Sequence, residues 1–452
     1  MFSKILIANR GEIAIRIIRA CKEMGIETVA VFSEADKSAM HVALADESIC
    51  IGSAEASKSY LDAERIVSAA LATKVQAIHP GYGFLSESSR LAALCEKNQI
   101  AFIGPKSQVL SKVGDKDKAR QVMSAAGIKV IPGTGILADE KEALDAAEKI
   151  GYPVMLKARA GREGKGLRVV NEPADIEISF QMASREAQDA FGDGAMYMEK
   201  CIVPARHIEV QLIIDELGHT VCLGERDSSV QRNYQKLLDE APSPGCSEAV
   251  RLELYELAQK AAKAADYIGV GSVEFLVDTD ENIFFMEINL GLQAEHGVSE
   301  QVTSIDIVKW QIRIAAGVAL DFTQDDIVLR GCSIQCRINA TATGKVAFLH
   351  LPGGPEVRFD SALWNGYEMP SYYDMLLGKL MVHAATREEA IRKMHAALCE
   401  LVIDGVKKNI DEHIGLVSDS KFQSGAYHVD FIARKVSSIN AHETKSVKRL
   451  EG

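Results

Sequence analysis

The sequence predicts an α/β and α+β multidomain protein, and three observations carry that reading. Residues 1–111 alternate short apolar strands with amphipathic helices, the pattern of a parallel sheet wrapped by helices. Residues 112–201 form a smaller unit in which two strands flank a glycine-rich turn. Residues 202–446 carry longer strands, several with single acids inside apolar runs.

The first unit opens with the buried strand Lys4–Ala8 and a helix over Glu12–Met24, with Ile13, Ile17, Ile18 and Cys21 on one face and Gly25 at its C-terminal cap. Further strands are expected at Thr28–Phe32, Val75–Ile78 and Ala101–Ile103. The first turn, Ala8-Asn9-Arg10-Gly11-Glu12, lacks the GxGxxG of a dinucleotide site, so the unit is Rossmann-like without that fingerprint. His79–Glu87 follows a strand end, where open α/β sheets bind ligands; a plain tight turn is the alternative.

The second unit is read as helices Asp115–Ala126 and Glu140–Ile150 and strands Tyr152–Lys157 and Arg168–Val170. Between the strands lies Ala158–Gly166, in which Gly161, Gly164 and Gly166 expose backbone N–H groups able to cradle an anion. Arg159, Arg162 and Lys165 add positive charge there; an exposed hairpin without a ligand is the other reading.

In the third unit, strands Ile208–Ile214, Thr220–Gly224, Val273–Val277 and Ile283–Ile288 predict an antiparallel or mixed sheet. Helices Glu248–Tyr267, Ile305–Ala316 and Arg387–Leu401 cover it. The chain is organised around Phe284–His296. Glu287 and Asn289 face the same way in its strand, and pairing with the strand around Glu274 brings two acids together. Two carboxylates and an amide oxygen suit Mg²⁺, which also holds nucleotide phosphates. Salt bridges to Lys or Arg are the competing reading.

The chain has 452 residues, enough for two to four domains and an ample core. The net charge of −12 argues against nucleic-acid binding. No apolar run is long enough for a membrane span, and nothing after Met1 resembles a targeting peptide. The nine cysteines form no CxxC pair and read as reduced and mostly buried, as in a cytoplasmic protein.

Several segments resemble biotin carboxylase, the ATP-grasp component of biotin-dependent carboxylases such as acetyl-CoA carboxylase in fatty acid biosynthesis. They are Lys4–Arg16 (KILIANRGEIAIR), Ile78–Glu87 (IHPGYGFLSE), Phe102–Pro105, Gly114–Lys116, Glu225–Asp227, Glu287–His296 and Cys336–Ala340. The resemblance runs from residue 3 to about 435. It implies that residues 112–201 are an ATP-grasp lid and 202–446 an ATP-grasp catalytic core with a biotin carboxylase C-terminal domain. It also implies a reaction: bicarbonate attacks the γ-phosphate of ATP, and the resulting carboxyphosphate yields CO₂ that carboxylates biotin on a carrier. By motif, Lys116 and Lys157 resemble phosphate contacts, and Glu199 and Lys200 the adenine-side hinge. His207, Gln231, Tyr82 and Gln293 resemble nucleotide or biotin contacts. Glu274, Glu287 and Asn289 resemble ligands of Mg²⁺ or Mn²⁺. Lys236 resembles a bicarbonate contact, Glu295 the base that deprotonates bicarbonate and Arg337 the cation that stabilises the biotin enolate. Such a base works if burial and a like charge raise its pKa toward neutrality. The implied partners are a biotin carboxyl carrier protein, since the Ala-Met-Lys-Met motif is absent, and carboxyltransferase subunits. A homodimer is implied through Arg19 and Glu23, with no membrane or nucleic-acid partner.

The sequence also departs from the family. Gly291 stands where the pattern Asn-Thr-Arg-Ile-Gln-Val-Glu-His-Pro has the arginine that clamps bicarbonate. Arg162 and Glu163 replace two lid glycines, Tyr234 a histidine and Asp239 a glutamate, and the segment after Ala340 is shortened. Two readings follow: a biotin carboxylase with altered bicarbonate handling, or an ATP-grasp relative that binds Mg·ATP but has lost or changed carboxylation. A non-catalytic scaffold is disfavoured by the retained Lys116, Lys157, Glu274 and Glu287.

Overall fold

A computed structural model describes residues 1–159 and 166–435. Lys4–Ile7 is wholly apolar after its first residue and forms the middle of a five-stranded parallel sheet. The strand order is Glu47–Gly52, Glu27–Ser33, Lys4–Ile7, Ala77–His79, Ala101–Phe102. The first helix spans Gly11–Glu23 and buries Ile13, Ile17, Ile18 and Cys21, and Gly25 takes the left-handed φ of 71° that ends it. The order reverses between Lys4–Ile7 and Ala77–His79, and the loops after these two strands meet there. The Asn9 amide donates to the carbonyls of Pro80 and Tyr82, both at 2.7 Å. The loop carrying Tyr82 therefore stands at the switch point, where open sheets take ligands.

A three-stranded antiparallel sheet follows, ordered Leu167–Val170, Val154–Ala158, Met196–Lys200. Helices Glu140–Ile150 and Ile176–Phe191 pack on it through Ala143, Ala147, Ala183 and Ala187, small residues that allow close approach. The turn residues Gly161, Arg162, Glu163, Gly164 and Lys165 lie outside the described residues. Gly166 is described: its φ is +71°, and a Cβ there would meet the Ala158 Cβ at 2.6 Å, so this position requires glycine.

The largest sheet is antiparallel throughout, which resolves the expectation of antiparallel or mixed. Its eight strands run Ile283–Asn289, Gly269–Asp278, Ala205–Ile214, Thr220–Arg232, Gln235–Ala241, Cys332–Asn339, Leu376–Ala384, Val357–Ser361. Thr220–Arg232 continues well past Gly224, where the sequence reading ended it. Glu225-Arg226-Asp227 looks like a polar exit, but all three are buried, with Arg226 2.9 Å from Glu209 across the strands. Burial with charged partners let polar residues continue the strand. The helix expected over Glu248–Tyr267 ends at Ala264, before Asp266 with φ 54°. That over Ile305–Ala316 starts at Ile307, because the Asp306 side chain caps it by accepting from Lys309 N–H.

All nine cysteines are free. Among the described residues no helix is long and apolar enough to cross a membrane.

Candidate active site

Glu274 and Glu287 are direct register partners on adjacent strands, so the two acids meet as the alternation predicted. Both have cationic neighbours. Glu287 lies 2.7 Å from Lys116 Nζ, at the start of helix Lys116–Ala125. Glu274 is 2.8 Å from Lys236 Nζ and 2.6 Å from His207 Nε2. The Asn289 amide donates to Glu274 Oε1 at 2.7 Å. The residue types fit a hard divalent cation, because two carboxylates are register partners on adjacent strands and an amide side chain contacts one of them. The salt-bridge reading also holds, since lysines pair with both acids.

Lys236 is the hub. Its ammonium contacts Glu209, Glu274 and Glu295, the last at 2.8 Å. Burial disfavours its charge, but the three carboxylates outweigh burial and hold its pKa well above the ordinary lysine value. Glu295, at the start of helix His296–Thr303, points its second oxygen at Arg337 Nη2, 2.8 Å away. The expected rise in the Glu295 pKa is not observed. Burial pushes it up, but Lys236, Arg337 and Arg226 win and hold its carboxyl well below the usual range. The acid poised near neutrality is its neighbour Glu209, raised to about 7 by burial and by Glu295. The sequence reading missed Glu209, although its alternation with His207 in a strand places both on one face.

Arg337 is braced from behind. Its backbone carbonyl accepts from the Asn409 amide at 3.1 Å and lies 2.8 Å from His413 Nε2. Asp239 lies 3.6 Å from Arg337 Nε, an ion pair beyond hydrogen-bond reach, and Nε has no hydrogen-bond partner among the described residues. Asp239 itself accepts from Ser228 and Gln335. The shortened segment after Ala340 is tied down by Thr341 N–H to Lys407 and Val346 N–H to Tyr367, both 2.9 Å, and the Arg337 side chain keeps its Glu295 contact.

At the opposite side of the site, Lys157 and Arg120 each lie 2.5 Å from the buried Glu199. Burial opposes that charge, but Lys157 and Arg120 hold the Glu199 pKa below its ordinary value. Lys200 does not join this group: its ammonium donates to the carbonyls of Gly151 and Tyr152, both at 2.8 Å, and only its backbone follows the strand. Gln231 lies 2.6 Å from His207 Nδ1, which orients that ring toward Glu274. Gln293 contributes its carbonyl to His296 Nδ1 at 2.7 Å. Tyr82 donates its hydroxyl to Glu12. Asn233 and Tyr234 form the tight hairpin between two site strands, both at positive φ, 49° and 65°. A Cβ on Gly291 would touch nothing within 4 Å among the described residues, which leave room for a side chain.

Comparisons with known proteins agree across the chain. Residues 1–110 match the biotin carboxylase N-terminal domain, 115–323 the carbamoyl-phosphate synthase L chain ATP-binding domain and 336–434 the biotin carboxylase C-terminal domain. Biotin carboxylase 1 of Bacillus subtilis is 46% identical over 442 residues, covering 96% of this chain and 98% of that protein. A biotin carboxylase-beta-gamma-ATP complex from Campylobacter jejuni superposes with a TM-score of 0.93 at 47% identity, covering 96% of this chain and 99% of that one. The biotin carboxylase domain dimer of Hydrogenobacter thermophilus 2-oxoglutarate carboxylase, with MgADP, ADP and bicarbonate, gives 0.93 at 44% identity, covering 96% and 98%. The chain belongs to the biotin carboxylase family.

Proposed function

We propose that this protein carboxylates biotin on a separate carrier protein, using ATP and bicarbonate through carboxyphosphate. The observation that carries the reading is the buried line Lys236–Glu295–Arg337 beside the paired acids Glu274 and Glu287. A cation, a base and a second cation stand in contact where bicarbonate and biotin must meet.

Lys116 and Lys157 hold the ATP phosphates, and the strand end at Glu199 and Lys200 receives the adenine. Glu274, Glu287 and Asn289 would hold Mg²⁺, and the bound ion would supply positive charge to offset that on the transferring phosphoryl group. Lys236 binds bicarbonate. The anion takes over part of the positive charge now pairing with Glu295, so the Glu295 pKa rises toward a useful range. Glu295 then accepts the bicarbonate proton as an oxygen of bicarbonate attacks the γ-phosphorus and ADP leaves. Carboxyphosphate breaks to CO₂ and phosphate, the released phosphate takes the ureido N–H proton of biotin, and the deprotonated nitrogen bonds to CO₂. Arg337 faces the ureido oxygen and stabilises its developing charge. Tyr82, His207, Gln231 and Gln293 line the site. Residues 1–111, 112–201 and 202–446 act as N-terminal domain, lid and catalytic core with C-terminal domain. Partners are a biotin carrier, carboxyltransferase subunits and a second copy of the chain, in the cytoplasm.

Phosphate release from Mg·ATP tests the reading. Release that requires bicarbonate and rises with free biotin supports it; tight ATP binding indifferent to both sinks it. The altered-activity reading retains one specific support, Gly291, which offers no clamp for bicarbonate.

A further inference from the structure

Lys379, in strand Leu376–Ala384, has its side chain at 0% exposure. Burying an ammonium is costly. A buried ion pair is also weak grounds for stability, because apolar residues of similar volume often serve the fold as well. Its contacts indicate a different use. Nζ donates to the Ala294 carbonyl at 2.9 Å, lies 3.0 Å from Glu12 Oε1 and stands 5.4 Å from the centre of the Tyr82 ring.

Ala294 immediately precedes Glu295. Lys379 and Arg337 are register partners on neighbouring antiparallel strands, so their side chains rise from the same face. One cation of the pair holds the Glu295 carboxylate and the other holds the main chain one residue earlier. Asp360 is the register partner of Lys379 on its other side, but it forms its hydrogen bonds with Arg358. Glu12 completes the link: it accepts from the Tyr82 hydroxyl, which ties the loop at the switch point of the parallel sheet to the same lysine.

Building on the biotin carboxylase reading, we propose that Lys379 is a positioning residue for carboxylation. It fixes the Ala294 carbonyl, and with it the aim of Glu295 between Lys236 and Arg337. Through Glu12 it sets Tyr82 against the same site. Lys379 touches no reacting atom; it acts through Glu295 and Tyr82.

The test uses the full chain carrying Lys379→Met, which keeps the stem but removes the charge and donor, and the double variant Glu12→Gln/Lys379→Met. The double variant leaves no buried carboxylate without a counter-charge, so it separates positioning from loss of fold. Measured are kcat and KM for bicarbonate-dependent biotin carboxylation, affinity for Mg·ADP, and Tm. Both variants are expected to lose roughly 10- to 100-fold in kcat, with Mg·ADP affinity within about two-fold of the parent. The Tm of the double variant is expected to equal or exceed that of the parent. A double variant with parental kcat overturns the proposal. So does a loss of carboxylation matched by equal loss of Mg·ADP affinity and Tm, which marks a purely structural residue. If the parent chain itself shows no bicarbonate-dependent carboxylation, the functional reading falls first and independently of Lys379.

Discussion

Lys116 Nζ lies 2.7 Å from Glu287 Oε2, so a lysine assigned to phosphate and an acid assigned to Mg²⁺ are each other's partners. Glu287 raises the Lys116 pKa, the largest influence on it. Nucleotide alone strands the acid, and metal alone strands the lysine. ADP is therefore expected to bind at least about ten-fold more tightly with Mg²⁺ than with EDTA. In Glu287→Gln that ratio collapses, and metal-free ADP binds more tightly than to the parent. Calorimetric titration checks both; equal affinity with and without Mg²⁺ in the parent contradicts the pairing argument.

Gly291 has open space among the described residues where its Cβ would stand and no positive φ, so its backbone takes a side chain without strain. Gly291→Arg is expected to lower the KM for bicarbonate by roughly ten-fold, the scale of one charge-assisted contact. The KM for ATP stays unchanged. Steady-state kinetics with bicarbonate varied decides this, and an unchanged bicarbonate KM refutes it.

His79 is fully buried and accepts on Nδ1, at 3.1 Å, the N–H of Gly81, the residue before Tyr82. Burial, aided by the charge of Arg16, lowers its pKa to about 3. The unfolded chain titrates at an ordinary value of about 6.5, so between these limits it binds the extra proton. The contribution of His79 to stability is thus complete above pH 6.5 and is lost as pH falls toward 3. His79→Asn keeps an acceptor but cannot titrate, so its Tm falls less steeply than the parent's between neutral and acidic pH. Parallel Tm profiles contradict this assignment.

Cys50 and Cys399 are exposed, whereas Cys21, Cys95, Cys222 and Cys332 are buried with thiols pushed up to about 12 by burial. A thiol reagent at neutral pH is expected to modify Cys50 and Cys399 quickly and those four only on unfolding. Mass mapping of the labelled sites is the check. Fast labelling of Cys222 in the native chain is the contrary outcome.

The readable parts of this protein were those set by local spacing. The helix Glu140–Ile150 was legible to the residue because Asp139 caps it and its alanines recur on one face. The meeting of Glu274 with Glu287 was legible because two apolar strands a short turn apart have few ways to pair. Lys236, Glu295 and Arg337 were nameable only through the family resemblance. Their contacts join residues 59 and 42 positions apart, brought together by a sheet whose strand order no local pattern encodes. Glu209 and Lys379 were illegible for a related reason: a charged residue in a strand reads as a solvent-facing position until the strand is known to be buried on both sides. Glu12 sits in the first turn of its helix, where an acid reads as a solvated partner of the helix N-terminus until its burial is known. The Glu295 pKa went the wrong way because the acid was expected beside another acid, whereas two cations reach it first.

The most direct test follows the carbon. The protein is incubated with Mg·ATP, isotopically labelled bicarbonate and free biotin, and label in carboxybiotin is counted against the Glu295→Gln variant. The account predicts ATP-dependent labelling in the parent, with a loss on the order of 10²-fold or more in the variant. No label in the parent, with Mg·ATP still bound, contradicts the proposed carboxylation. Equal label in parent and variant contradicts the role given to Glu295.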